Sequence, residues 1–148
     1  EFYLRMATPY SQLRLFIPPG AALAINAALA LALIGLVMLG WRRSGGDPLA
    51  SGALMLAATA LASPYLFNYD LPFLIRPLCW LVARGLDDGF RAWEKLALVA
   101  LFLAPYATRA AALELGVNLM PLAALALVWL LWSRAGEPGT LAKRGGPL

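Results

Sequence analysis

The chain has 148 residues, 61% hydrophobic and 14% charged, with a net charge of +4. Soluble domains carry about 45–50% apolar and about 25% charged residues, so composition argues against a soluble globular domain, a disordered chain or a nucleic-acid binder. The sequence has no histidine and a single cysteine, Cys79, which excludes a Ser-His-Asp triad, a His-ligated metal, an internal disulfide and a Cys-based zinc site. Residues 1–19 read as an outer loop or interfacial segment. Residues 20–41 supply a first membrane span, with Asn26 as its main polar side chain, because about 20 apolar residues cross a bilayer. Arg42 to Gly46 end it. Asp47 and Pro48 then give the N-cap and first-turn residues of a second helix, 49–67, interrupted late by Pro64. A third segment, 71–84, carries Arg76 and Pro77 and is short. The fourth is 95–112, with Pro105 and Arg109, and the fifth 117–132. Residues 133–148, rich in Gly, Pro and basic side chains, read as a flexible cytoplasmic tail. The expected fold is an all-α integral membrane protein with about five transmembrane helices. A start at Glu1 rather than Met is read as the C-terminal part of a longer chain.

Charge sets the expected orientation. With the tail inside and five spans, the cytoplasmic segments hold Arg42, Arg43, Arg84, Arg91, Lys95, Arg134, Lys143 and Arg144 out of 12 basic residues. This agrees with the enrichment of Lys and Arg in cytoplasmic loops. Trp41, Trp80, Trp93, Trp129 and Trp132 fall at the cytoplasmic ends, and Tyr3, Tyr10, Tyr65, Tyr69 and Tyr106 at the other. Both residue types favour membrane interfaces. Gly20, Ala24, Ala28 and Ala32 form a small-residue row at i, i+4 spacing, read as a helix-packing face.

Chemistry concentrates in 62–72, where hydroxyls, an amide and a carboxylate meet at the outer mouth. Asp70 suits a helix N-cap. Tyr69 and Arg76 are seven apart and share a face if one α-helix covers both. An arginine at that depth can grip a phosphate bidentately, although a snorkelling or Asp70-paired arginine is an equally ordinary reading. The candidate substrate-binding residues are Tyr65, Asn68, Tyr69, Asp70 and Arg76. Asp70 alone makes a poor metal site, since hard cations take several oxygen ligands, and no cofactor is evident. Arg109 and Glu114, at the outer end of the fourth span, read as interface anchors or an ion pair.

The stretch Ser63-Pro64-Tyr65-Leu66-Phe67-Asn68-Tyr69-Asp70-Leu71 resembles the signature of glycosyltransferase family 87, in which a serine-proline pair and a Tyr-Asp pair follow a hydrophobic helix. The alanine-rich span ending in Trp-Arg-Arg and the basic tail are similar too. The resemblance implies the C-terminal part of a GT-C type enzyme of the bacterial inner membrane. Such an enzyme moves a sugar from a polyprenyl-phosphate donor to a lipid or glycan acceptor on the extracytoplasmic face, where the 62–72 loop would lie. Membrane lipids, the lipid-linked donor and the acceptor are the implied partners. The family's catalytic base is expected in an outer loop nearer the N-terminus, outside this fragment, so the catalytic residue is not assigned. The mannosyltransferase branch carries a His pair where this chain has Tyr69 and Asp70, so no role of that pair transfers. A transporter or flippase-like protein for lipid-linked substrates is the rival reading from the residues, and a structural subunit with Asp70 and Arg76 paired is the third.

Overall fold

The computed structural model describes residues 6–137. Among them the regular structure is helical: α1 Pro9–Leu13, α2 Pro19–Arg43, α3 Pro48–Ala62, a 3-10 helix Asn68–Leu74 leading into α4 Ile75–Asp88, α5 Glu94–Leu115 and α6 Met120–Ala135. One isolated antiparallel bridge joins Met6 and Phe67. Of the five expected spans, two are long and apolar enough to cross a membrane, Pro19–Arg43 and Glu94–Glu114; α3 and α6 are shorter apolar helices.

Local chemistry sets the boundaries. Pro19 opens α2 and Arg42 and Arg43 close it, the basic residues complementing the negative end of the helix dipole. The Asp47 carboxylate accepts a hydrogen bond from Leu49 N–H at 2.9 Å, with Pro48 in the first turn of α3. α3 stops at Ala62, five residues before the expected end at 67. A residue before proline is pushed to extended backbone, and Ser63, before Pro64, has φ −67° and ψ 129°. The third segment gains what the second loses. Its first seven residues, Asn68–Leu74, form 3-10 helix, and 14 more form α4.

α3 and α6 pack at the centre, α2 and α4 flank α3, and α5 lies against α4 and α6. The core is built from Leu54, Ala57 and Leu61 of α3 with Leu127, Val128 and Leu131 of α6. α2 turns Ala22, Asn26, Leu33 and Gly40 inward. Gly20, Ala24, Ala28 and Ala32 are exposed instead, so the row read as a packing face is not the one α2 uses. The reason is Asn26: its Nδ2 donates to the Ala62 carbonyl at 2.9 Å, and burying an amide next to an orphan helix-end carbonyl fixes the rotation of α2.

The connections gather at two ends. At one end Arg43 lies over the Trp132 ring at 5.1 Å, Arg84 Nη2 donates to the Glu137 carbonyl, and Arg91 Nη1 donates to Ser133 Oγ. At the other, the 6–13 segment ties the remaining loops together. Ala7 N–H donates to the Leu66 carbonyl, Thr8 Oγ1 to the Pro64 carbonyl, and Asn118 N–H to Gln12 Oε1. The five long elements therefore run alternately between the ends. Arg134, expected in the flexible tail, is 2% exposed within α6, and residues 138–148 of that tail lie outside the described residues.

Candidate functional site

Small side chains make the site. The inward line of α5 starts with Glu94 and Leu98 but continues with Ala104, Thr108 and Ala112, all buried, and Ala112 borders the cleft. α6 presents Ala123 and Ala124 to the same space. Where alanines face each other, a groove is left between α5, α6 and the 68–78 segment. Its volume is about 1150 Å³, somewhat above that of ordinary ligand pockets, which span about 300–1,000 Å³. Leu78, Leu101, Phe102 and Leu127 give it apolar walls, and Tyr69, Tyr106 and Arg109 contribute its polar groups. Arg109 lies eight residues from Leu101 on α5, so about 12 Å of wall runs below the guanidinium.

Arg109 is exposed at the cleft, and among the described residues it makes no hydrogen bond or ion pair. Of the two readings of Arg109 and Glu114, interface anchors or an ion pair, the ion pair is not formed among the described residues. Tyr69 and Tyr106 are 74% and 77% exposed, so their hydroxyls are free to meet a ligand. No carboxylate lines the cleft among the described residues. The arrangement therefore offers a cation, two phenols and an apolar trough: it can hold an amphipathic anion but supplies no general base.

The residues anticipated from the sequence are only partly brought together. Tyr69 lines the cleft, its ring stacked on Phe67 at 5.3 Å. Tyr65 lies off it, edge-on to Tyr10 at 5.7 Å. Asp70 is not the N-cap; the 3-10 helix starts two residues earlier. The Asp70 carboxylate, inside the first turn, accepts from Phe67 N–H at 3.1 Å. Arg76 is exposed, unpaired among the described residues and absent from the cleft lining. A 3-10 helix turns about 120° per residue against about 100° in an α-helix, so five 3-10 steps move Arg76 to about 80° from Tyr69 instead of about 20°. The Asn68 side chain lies outside the described residues.

The arginine that lines this cleft is on α5, not on the 71–84 segment that carries Arg76. The available signal was Pro105-Tyr106-Ala107-Thr108-Arg109, which sets a phenol and a guanidinium three apart, on neighbouring helix positions. The backbone of the serine-proline-tyrosine part of the loop is held by local and long-range hydrogen bonds. Ser63 Oγ donates to the Tyr65 carbonyl at 2.9 Å, while Pro64 and Leu66 carbonyls are taken by Thr8 and Ala7. No protein-family model, curated protein or solved structure matches the chain.

Proposed function

We propose that this chain is the donor-holding part of a multi-pass membrane glycosyltransferase of the GT-C type, acting on a polyprenyl-phosphate sugar at the extracytoplasmic face of a bacterial inner membrane. The observation that carries this reading is the apolar cleft with unpaired Arg109 at its polar rim. An isoprenoid chain occupies the trough between α5 and α6, and Arg109 grips the phosphate bidentately. Tyr69 and Tyr106 donate to phosphate or sugar oxygens, stabilising the leaving phosphate as its charge develops. The five helical elements act as five crossings, with the 63–74 loop outside and the C-terminal tail inside. The base that deprotonates the acceptor is not assigned: no acid lines the cleft among the described residues.

The test uses the full-length protein in native membranes with labelled polyprenyl-phosphate sugars. Hydrogen bonds to a charged group contribute about 1.5–3 kcal/mol, so Arg109→Gln weakens donor binding about 10- to 100-fold. Arg76→Gln leaves it within about twofold. Equal losses in both variants, or none in Arg109→Gln, sink the donor site. Donor binding without sugar transfer to any acceptor supports the transport reading instead.

A further inference from the structure

A second groove lies at the opposite end of the molecule, between the last turns of α2 and the first turns of α3. Val37, Met38, Trp41 and Arg42 form one wall, and Ser51, Gly52 and Met55 the other, around about 420 Å³. Two features keep it open. A Cβ added at Gly52 would meet no atom within 4 Å, so the floor is empty where a side chain would stand. The Trp41 ring is held to one side against Gly46, with the ring 3.6 Å from where that residue's Cβ would be. Gly46 has φ +83°, and this left-handed turn brings the α2–α3 linker back over the indole.

Charge at this groove is uncompensated. Arg42 is exposed and, among the described residues, its guanidinium has no hydrogen bond or ion pair. Its neighbour Arg43 is engaged, lying over the Trp132 ring. The acid of the linker, Asp47, is turned to the start of α3, where it accepts from Leu49 N–H. An apolar trough about 8 Å long, from Val37 to Arg42, thus ends in a free guanidinium and an indole. That is the arrangement that takes an acyl chain along the helices and a phosphate at the membrane surface, since basic pockets between helices on the cytoplasmic side recognise acidic lipid head groups.

We propose that the α2–α3 groove is a binding site for an acidic phospholipid of the inner leaflet, its phosphate on Arg42 and its acyl chain along Val37, Gly52 and Met55. This rests on the membrane reading above but not on the glycosyltransferase assignment. The site is separate from the large cleft, because it lies at the other end of the bundle and shares no lining residue with it.

Tryptophan quenching by bromine-labelled lipids tests it, with the full-length protein reconstituted in vesicles of brominated phosphatidylglycerol or brominated phosphatidylcholine. The Trp41 contribution is the difference between wild type and Trp41→Phe. The expected result is that the anionic lipid quenches Trp41 about fivefold more effectively than the zwitterionic one, the size of one well-placed cationic contact at the surface. Arg42→Gln abolishes that preference, Arg43→Gln keeps it, and Gly52→Leu lowers quenching by both lipids. Equal quenching of Trp41 by the two lipids in wild type overturns the site. So does a preference that survives Arg42→Gln, or one that falls equally in Arg43→Gln, which would mark general surface charge. Absence of quenching at every tryptophan overturns the membrane reading itself, an outcome distinct from loss of the lipid preference alone.

Discussion

Glu94 and Arg134 stand 40 positions apart and meet in a bidentate pair, their side chains 2% and 3% exposed. Arg134 also donates to the Gly89 carbonyl at 2.8 Å and to Glu137. Glu94 Oε2 in turn accepts from Arg91 N–H and ties the α4–α5 linker to the first turn of α5. Removing one partner of a buried pair leaves an uncompensated charge and costs about 3–5 kcal/mol. Glu94→Gln should lower the thermal midpoint sharply, and the double variant Glu94→Gln/Arg134→Met should lose less than the two single losses combined, as measured by unfolding in detergent. Glu137 gives the pH dependence. Hydrogen bonding from Arg91, and the nearby charges of Arg91 and Arg134, hold its carboxyl below its ordinary 4.5. Its contribution is therefore present above the unfolded value and lost as pH falls through the lowered one. A thermal-midpoint profile from neutral to acid pH should fall less steeply in Glu137→Gln than in wild type. The central Glu94–Arg134 pair is not legible in the sequence: opposite charges 40 residues apart have no shared period, and Arg134 reads as one more basic residue of a tail.

At the scale of the element, the sequence showed what is punctuated and hid what is rotated. Asp47-Pro48 marks the start of α3 because the cap and the first-turn proline are local chemistry, and Arg42-Arg43 marks the end of α2 for the same reason. Pro64 was visible too, but its effect was read as an interruption, whereas it ends the helix. The 3-10 stretch was hidden. Nothing in a seven-residue spacing says that the turn angle will be about 120° rather than about 100°, and that difference separates Tyr69 from Arg76. The α2 face was misread because alanines occur on every side of that helix, while the decisive residue, Asn26, is single. Gly40 shows what the true α2–α3 face demands. A Cβ there would lie 2.5 Å from Leu54 Cδ2, and Leu54, 1% exposed, has no room to swing away. Overpacking costs about 1–3 kcal/mol, against about 1 kcal/mol gained by replacing a helical glycine. Gly40→Ala should therefore destabilise by up to about 2 kcal/mol. Gly35→Ala, which meets nothing within 4 Å, should be neutral or stabilising. Equal melting temperatures for the two variants would show that α2 does not approach α3 through Gly40.

For the whole molecule, the order of five elements carries a prediction that two spanning-length helices alone do not. Arg43, Arg84, Arg91 and Arg134 come together at one end through Trp132, Ser133 and Glu137. Tyr10, Tyr65, Phe67 and Tyr69 collect at the other, on α1, the 63–67 loop and the 3-10 helix, where Thr8 and Gln12 tie the connections together. In a membrane the excess of arginine at the first end, against Arg14, Arg76 and Arg109 towards the other, gives an orientation, because Lys and Arg of short loops stay on the cytoplasmic side. α3 and α6 are short for a bilayer about 30 Å thick, since 15 or 16 residues rise about 24 Å. They are also the two central helices, and a central helix meets protein on its flanks and can stop below the head groups without exposing backbone to lipid. The alternation is then testable with single cysteines in a Cys79→Ser background, using a membrane-impermeant maleimide on intact and on opened cells. Cysteines at Gly45 and Glu137 should label only after the cells are opened, and cysteines at Tyr65 and Gly116 should label from outside. Both pairs labelling from one side would mean that α3 and α6 do not cross. The large cleft would then lose its claim to an extracytoplasmic substrate, because Arg109 stands at the same end as Tyr65 and Gly116.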